Sequence, residues 1–292
     1  MSAVSAFNLR SQARGEKTRG RLFHLLLLVS MAVGFVVLGA LLVDVFQKGV
    51  GYVDGVLLTN PNSSLPERAG ARPAILGTIY MMGLLLLMTV PIGVGTALYL
   101  EEYADRNRWY NRLLEINIQN LAAVPSIVYG ILGLAFIVRG LGLGRVLLAG
   151  SLILTLLVLP TIIIASREAI RAVPGSIRDG AFALGATRWQ VVWRQVLPAA
   201  IPGIATGAIL ALSRALGETA PLILIGAVTF ITFDPTLLGQ FTALPIQIFS
   251  WLTQVDPEFT KLAAGASIVL LAIVLGLNVV AIVIRNRFQR RW

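Results

Sequence analysis

The sequence predicts an all-α polytopic membrane protein with six transmembrane helices and both termini in the cytoplasm. Three observations carry that prediction. Hydrophobic residues fill 57% of the 292 positions and charged ones 13%, whereas a soluble domain keeps about a quarter of its residues charged. Six apolar stretches reach the roughly 20 residues that span a bilayer, near 22–46, 74–100, 113–138, 147–166, 199–230 and 262–284. The cations, 24 Lys+Arg against 14 Asp+Glu for a net charge of +10, gather in alternate joining segments.

The first apolar run is too long for a signal-peptide h-region, and no small-residue cleavage site follows it, so it is read as a retained span. The fifth is too long for one straight span, so part of it is expected to tilt or to lie outside the hydrocarbon. An even number of spans puts both ends on one side. The tails carry Arg10, Arg14, Lys17, Arg19, Arg21, Arg285, Arg287, Arg290 and Arg291; the loop after the second span has Arg106, Arg108 and Arg112. The loop after the fourth has Arg167, Arg171, Arg178, Arg188 and Arg194. These segments hold 17 of the 24 cations, which makes them cytoplasmic. The layout is a tail at 1–21, a transmembrane domain at 22–284 and a tail at 285–292. Cations that flank apolar runs mark membrane topology and imply a lipid bilayer, not nucleic acid, as the partner. With no cysteine and one histidine, disulfides, thiolate metal sites and a histidine-rich metal centre are excluded, and no credible catalytic set remains.

The outer segments differ in composition. Residues 47–73 are turn-rich and polar. In 231–261, Leu244–Leu252 is too apolar for a solvated loop and too short to span; an interfacial or re-entrant helix and a helix packed over the bundle both fit. Pro91, Pro125 and Pro160 fall inside spans and mark kinks. Glu101, Glu102 and Asp105 read as a solvated cytoplasmic loop, and Glu115, Asn117, Gln119 and Asn120 as a polar patch opening the third span.

The cytoplasmic segment 167–198 is patterned as a helix–turn–helix. Ser176 is a plausible N-cap after Pro174-Gly175, and Ile177, Ala181 and Leu184 fall on one face. Gly185 breaks the helix, and Thr187 can cap a second one with an apolar face of Trp189, Val192, Trp193 and Val196. Pro198 closes the unit. Two tryptophans on a water-facing loop call for a partner, and the position against two spans argues against a DNA-reading helix–turn–helix. The run Asp179-Gly180-Ala181, three residues, Gly185, eleven residues, Leu197-Pro198 resembles the "EAA" loop of ABC-importer permeases, although Asp179 stands for the usual Glu and Gly180 for the first Ala. The resemblance implies that this loop docks on a cytoplasmic ATPase subunit. No G-x-x-x-x-G-K-[ST] phosphate loop occurs in the chain, so any ATP hydrolysis belongs to another chain.

Inside the fifth span, Ser213-Arg214-Ala215-Leu216-Gly217-Glu218-Thr219-Ala220-Pro221-Leu222 interrupts the apolar run. Arg214 follows Pro198 by 16 residues, about 24 Å of helix against a hydrocarbon core of roughly 30 Å. A charge at that depth costs roughly 3 kcal/mol or more. Glu218, four residues on, would share its helix face. Gly203, Gly207 and Ala211 would continue that face as a small-residue stripe, and Pro221 would kink the helix past the pair. A structural ion pair and a site where Arg214 meets a translocating oxyanion both fit; a guanidinium donates two parallel hydrogen bonds to such an anion.

Residues 213–222, with Ala123–Gly130 and Ala243–Ile248, resemble the signatures of the phosphate-specific ABC importer permeases of the PstA type, over roughly residues 70–285. The resemblance implies a type I permease in a bacterial inner membrane, pairing with a second related permease subunit, two cytoplasmic ATPase subunits and an extracytoplasmic phosphate-binding protein. It implies transport roles for Arg214 and Glu218, with Arg167 as a weaker phosphate-handling candidate, and ATP and magnesium only on the partner ATPase. Alternatives are a permease for sulfate or molybdate, which the loop fits equally well, and an ion-coupled secondary anion transporter. The latter has no use for a docking loop.

Overall fold

The computed structural model describes residues 3–105 and 107–288. Arg106, Arg290 and Arg291 lie outside the described residues, as do the side chains of Arg10, Arg14, Lys17 and Arg19. No strand occurs among the described residues. The α-helices, in order, are α1 (Ala3–Gly49), α2 (Gly55–Thr59), α3 (Arg72–Leu98), α4 (Trp109–Ala123), α5 (Ser126–Leu132), α6 (Leu147–Arg171), α7 (Gly175–Ala183), α8 (Arg188–Val191), α9 (Leu197–Gly217), α10 (Ala220–Leu224), α11 (Leu244–Leu252) and α12 (Pro257–Phe288). Five segments are long and apolar enough to span: Gly20–Tyr52, Arg72–Tyr103, Leu147–Arg171, Arg188–Gly217 and Pro257–Arg287. The sixth, Trp109–Gly140, is bent by 105° between α4 and α5.

That bend sits at Pro125. Proline has no N–H to offer the carbonyl four residues back, here Leu121. The Leu121 carbonyl instead accepts from Val124 N–H at 3.1 Å and from the Tyr129 hydroxyl at 2.9 Å, so it is satisfied within the chain.

The buried axis of the bundle is α6. It packs against α3, α9 and α4, while α12 packs against α9 and α11. Small residues set the closest approaches: a Cβ on Gly203 or Gly207 would collide with the methyls of Ala169 and Ala165 on α6. The α1 side chains from Leu22 to Val43 are exposed and, apart from His24 and Ser30, apolar; near its end, Gly49 lies against the backbone of Ala264 and Gly265 of α12.

The predicted loops are more structured than their composition suggests. In 47–73, Leu57 and Asn62 are buried, and the Trp251 indole N–H donates to Asn62 Oδ1 at 3.2 Å. The helix α11 packs over the bundle, against α12 and α3, with Trp251 fully buried. Its first turn is anchored by Leu244 N–H donating to Thr78 Oγ1 at 2.9 Å.

Because α9 approaches α6 through glycine, Gly207→Leu is expected to destabilise the bundle by about 1–3 kcal/mol, the usual cost of overpacking. Thermal unfolding of the detergent-solubilised protein would show a lowered midpoint; an unchanged midpoint would contradict the close contact.

Candidate functional site

Two sets of sequence-predicted residues come to opposite ends of α9. Around Arg214 the structure departs from the expected continuous helix. The helix ends at Gly217, and Glu218 is extended, φ −78° and ψ 109°. Pro221 is the cause: without an N–H it cannot bond the Gly217 carbonyl, and its ring clashes with that carbonyl in a continuous helix. The break therefore falls before Glu218 instead of after it. Arg214 and Glu218 still meet, Nε to Oε1 at 3.5 Å, a long and single contact. The Arg214 side chain is 50% exposed and its Nη groups have no hydrogen bond among the described residues.

At 3.6 residues per turn, position 214 lies within about 20° of Gly203 and Gly207 and about 60° from buried Ala211, so on α9 the charge continues the small-residue stripe. Arg214 shares its open face with Leu210, which is 65% exposed. On α9, Ser213 Oγ donates to Asn278 Oδ1 of α12 at 3.1 Å. The segments 123–130 and 213–222 pack together, since Gly130 leaves room for Pro221 and Leu224. Residues 243–248 follow a strand-like contact in which Val228 N–H donates to the Phe241 carbonyl at 3.0 Å.

At the other end, α7 and α8 form the helix–turn–helix. Ser176 is not the cap: α7 starts at Gly175, after Pro174, with no side-chain cap. The corner is as the sequence requires. Gly185 has φ +80°, a left-handed conformation suited to glycine. Its N–H donates to Phe182 O at 2.9 Å and Ala186 N–H to Ala181 O at 3.1 Å, the paired bonds of a Schellman stop. Thr187 then caps α8 in a reciprocal capping box with Gln190.

Pro198 does not separate the loop from the span. A π-helical turn, Val192–Val196, joins α8 to α9, and this wider turn accommodates the proline whose N–H is missing. The apolar face assigned to α8 also divides. Val191, Val192 and Val196 are buried. Trp189 and Trp193 pack against each other at a tilt of 49°, ring centroids 5.1 Å apart, and remain exposed. Leu184, placed with Ile177 and Ala181, is instead 90% exposed; it is already at the helix end, where the chain turns. Asp179 and Gly180 are exposed, and Ala181 is half-buried with Ile177. Gly180, Ala181 and Gly185 line a groove of about 500 Å³ with Gln190 and Arg194. Leu197 packs into the apolar cluster beneath, beside Val196 and Ala200, and Pro198 is half-buried.

Arg167 lies apart from Arg214, in an ion-pair network between the ends of α3, α4 and α6. Its Nε donates to Glu101 Oε1 and its Nη2 to Glu115 Oε1, each at 2.7 Å, and it is 9% exposed. Arg171 joins Glu101 at 2.9 Å. Glu102, also buried, pairs with Arg178 at 2.8 Å. The acids 101 and 102 are thus not a solvated loop; only Asp105 of that run is exposed. The missed signal was their position at the end of a spanning helix, where an acid facing the bundle must find a cation.

With this geometry in hand, the chain matches, over residues 89–292, the family described as "Binding-protein-dependent transport system inner membrane component". The chain belongs to that family. As a family member it is 32% identical over 262 residues to the probable ABC transporter permease protein YqgI of Bacillus subtilis, covering 84% of this chain and 89% of that protein. It is 35% identical over 230 residues to the phosphate transport system permease protein PstA 1 of Mycobacterium tuberculosis, covering 78% and 74%. Its fold is that of ABC-importer membrane subunits. The bacterial alginate ABC transporter, solved with its alginate pentasaccharide-bound periplasmic protein, aligns at a TM-score of 0.64 and 19% identity, covering 90% of this chain and 93% of that one. The MetNI methionine transporter aligns at 0.58 and 19%, covering 73% and 92%.

Glu101 is 3% exposed, and removing one partner of a buried pair is costly. Arg167→Gln should destabilise this permease by about 3 kcal/mol, the low end for a broken buried pair because Arg171 stays beside Glu101. Equilibrium unfolding in mild detergent measures this; a change near zero would show the network to be dispensable for stability.

Proposed function

We propose that this chain is one of two transmembrane subunits of an ATP-driven importer for inorganic phosphate in a bacterial plasma membrane. The observation that carries the reading is the half-exposed guanidinium of Arg214 at a depth of about 24 Å along its helix. A charge there cannot face lipid without a large cost, so it faces a polar path or a second subunit. Its free Nη fork suits two oxygens of a tetrahedral oxyanion. Glu218, at 3.5 Å, holds and masks the guanidinium when no anion is present. The 213–222 motif and the relatives named as phosphate transport permeases support phosphate as that anion.

The exposed surface of Phe182, Leu184, Trp189 and Trp193, with Asp179, Gly180, Ala181 and Gly185 and the Leu197-Pro198 boundary, is the face for a cytoplasmic ATPase subunit. The complete assembly has a second permease, two ATPase subunits carrying ATP and magnesium, and an extracytoplasmic phosphate-binding protein. Closure of the ATPase pair presses on α7 and α8 and shifts the bundle between inward- and outward-facing populations. Phosphate released by the binding protein then enters beside Arg214. Bond chemistry stays on the ATPase.

Arg214→Gln is expected to reduce ATP-dependent uptake of labelled phosphate by about 100-fold, the loss of a charge-assisted interaction of roughly 3 kcal/mol, while the ATPase subunit still co-purifies. Uptake at the unsubstituted rate would make the ion pair purely structural. Gly185→Trp puts a side chain at φ +80° and into the groove. It should abolish uptake and ATPase co-purification while leaving the protein inserted; normal uptake would remove the docking role.

A further inference from the structure

The guanidinium of Arg178, on α7, makes four hydrogen bonds to two other elements. Nε and Nη2 both reach Glu102 Oε1, at 3.1 and 2.8 Å. Nη1 donates to the Val173 carbonyl at 2.6 Å and Nη2 to the Ile170 carbonyl at 2.9 Å. Glu102 lies in the π-helical turn Tyr99–Tyr103 that ends the second span, Ile170 lies in the last turn of α6, and Val173 follows that helix by two residues. The Ile170 carbonyl also accepts Val173 N–H at 3.3 Å, and the negative end of a helix attracts a cation, so Arg178 braces the end of α6 as well as pairing with the turn after α3. Arg178 is 22% and Glu102 11% exposed in their side chains, which shields the pair from the screening that weakens surface bridges. By contrast, the rest of α7 offers little grip: no residue of that helix is fully buried.

We propose that Arg178 is the positioning residue that makes α7 move as one body with the ends of α3 and α6. It is a strut with two legs, one to a carboxylate and one to the carbonyls at the end of α6. The inference rests on the reading of α7 as the segment an ATPase subunit engages. A push on α7 passes through one planar, multiply bonded group into α6, the buried axis against which α3, α4 and α9 pack. A lysine could satisfy one leg but lacks the fork that spans both. Without the strut, the ATPase can close on α7 while the ends of α3 and α6 stay behind: α9 is displaced without them, hydrolysis continues and transport falls.

The test uses the assembled permease pair, ATPase and binding protein in proteoliposomes, comparing Arg178→Gln, Arg178→Lys and Glu102→Gln. Docking is read separately. The chain has no cysteine, so Leu184→Cys carrying a maleimide photo-crosslinker reports whether the loop contacts the ATPase. The expected result is an ATPase adduct in every background and hydrolysis within about twofold, with phosphate moved per ATP falling about tenfold in Arg178→Gln and Glu102→Gln, in the range of measured coupling energies. Arg178→Lys should fall between these and the unsubstituted protein. An unchanged ratio of phosphate to ATP, with the adduct present, overturns the strut. Loss of hydrolysis, adduct and transport together also overturns it, since that marks a role in folding alone. Absence of the adduct in the otherwise unsubstituted complex overturns the docking assignment itself.

Discussion

Polar groups carried into hydrocarbon must find partners in the protein or in water, and this constraint organises the molecule. The Leu121 carbonyl, which Pro125 cannot bond, receives the Val124 N–H and the Tyr129 hydroxyl. The helix that carries Pro198 widens into a π turn just before it. Arg167, at the end of the fourth span, is held between two carboxylates. Arg214 departs from this pattern. It has one long contact to Glu218, and its Nη groups have no hydrogen bond among the described residues. This open guanidinium is what the second subunit of the proposed assembly would face, in a family of binding-protein-dependent membrane components.

The same elements provide continuity between the two ends. The helix that begins at Arg188 on the exposed loop runs without a break to Gly217, past Arg214. Its contacts with α6 are glycine-to-alanine approaches that leave little slack. At Gly217 the helix stops, and the Glu218 carboxylate comes from backbone outside it. In the proposed cycle, displacement of the loop therefore moves Arg214 as part of a rigid helix, whereas Glu218 lies on a segment free to move differently. A pair that makes a single 3.5 Å contact is easily exchanged for an anion during such a shift.

Much of the fold was legible in the sequence because length, apolarity and cation placement are direct consequences of the bilayer. The six spans, the close packing of Gly203 and Gly207, the Gly185 stop and the Thr187 cap all follow from local chemistry. The failures share a cause: each depended on what lay across the bundle or on how a proline is absorbed. Pro221 ends its helix before Glu218, and Pro198 fails to end one, because a break after Gly217 leaves Glu218 beside Arg214, whereas a π turn keeps α8 joined to α9. The Glu101 and Glu102 pairs are formed with residues more than sixty positions away. On α8, valines and tryptophans are equally apolar in a periodicity count, but the valines fill a narrow interface and the tryptophans stay outside. The phosphate assignment came from motif resemblance, and no spacing argument alone would have separated it from another oxyanion.

The central claim is that this chain forms half of a phosphate pathway powered from the side of its exposed loop. Uptake of labelled phosphate into proteoliposomes tests it most directly, with this chain alone and with its permease, ATPase and binding-protein partners. The account predicts no uptake by the chain alone. With the partners, uptake should require ATP on the α7 side and binding protein on the opposite side. ATP-independent uptake by the chain alone would contradict it and identify a self-sufficient carrier or channel.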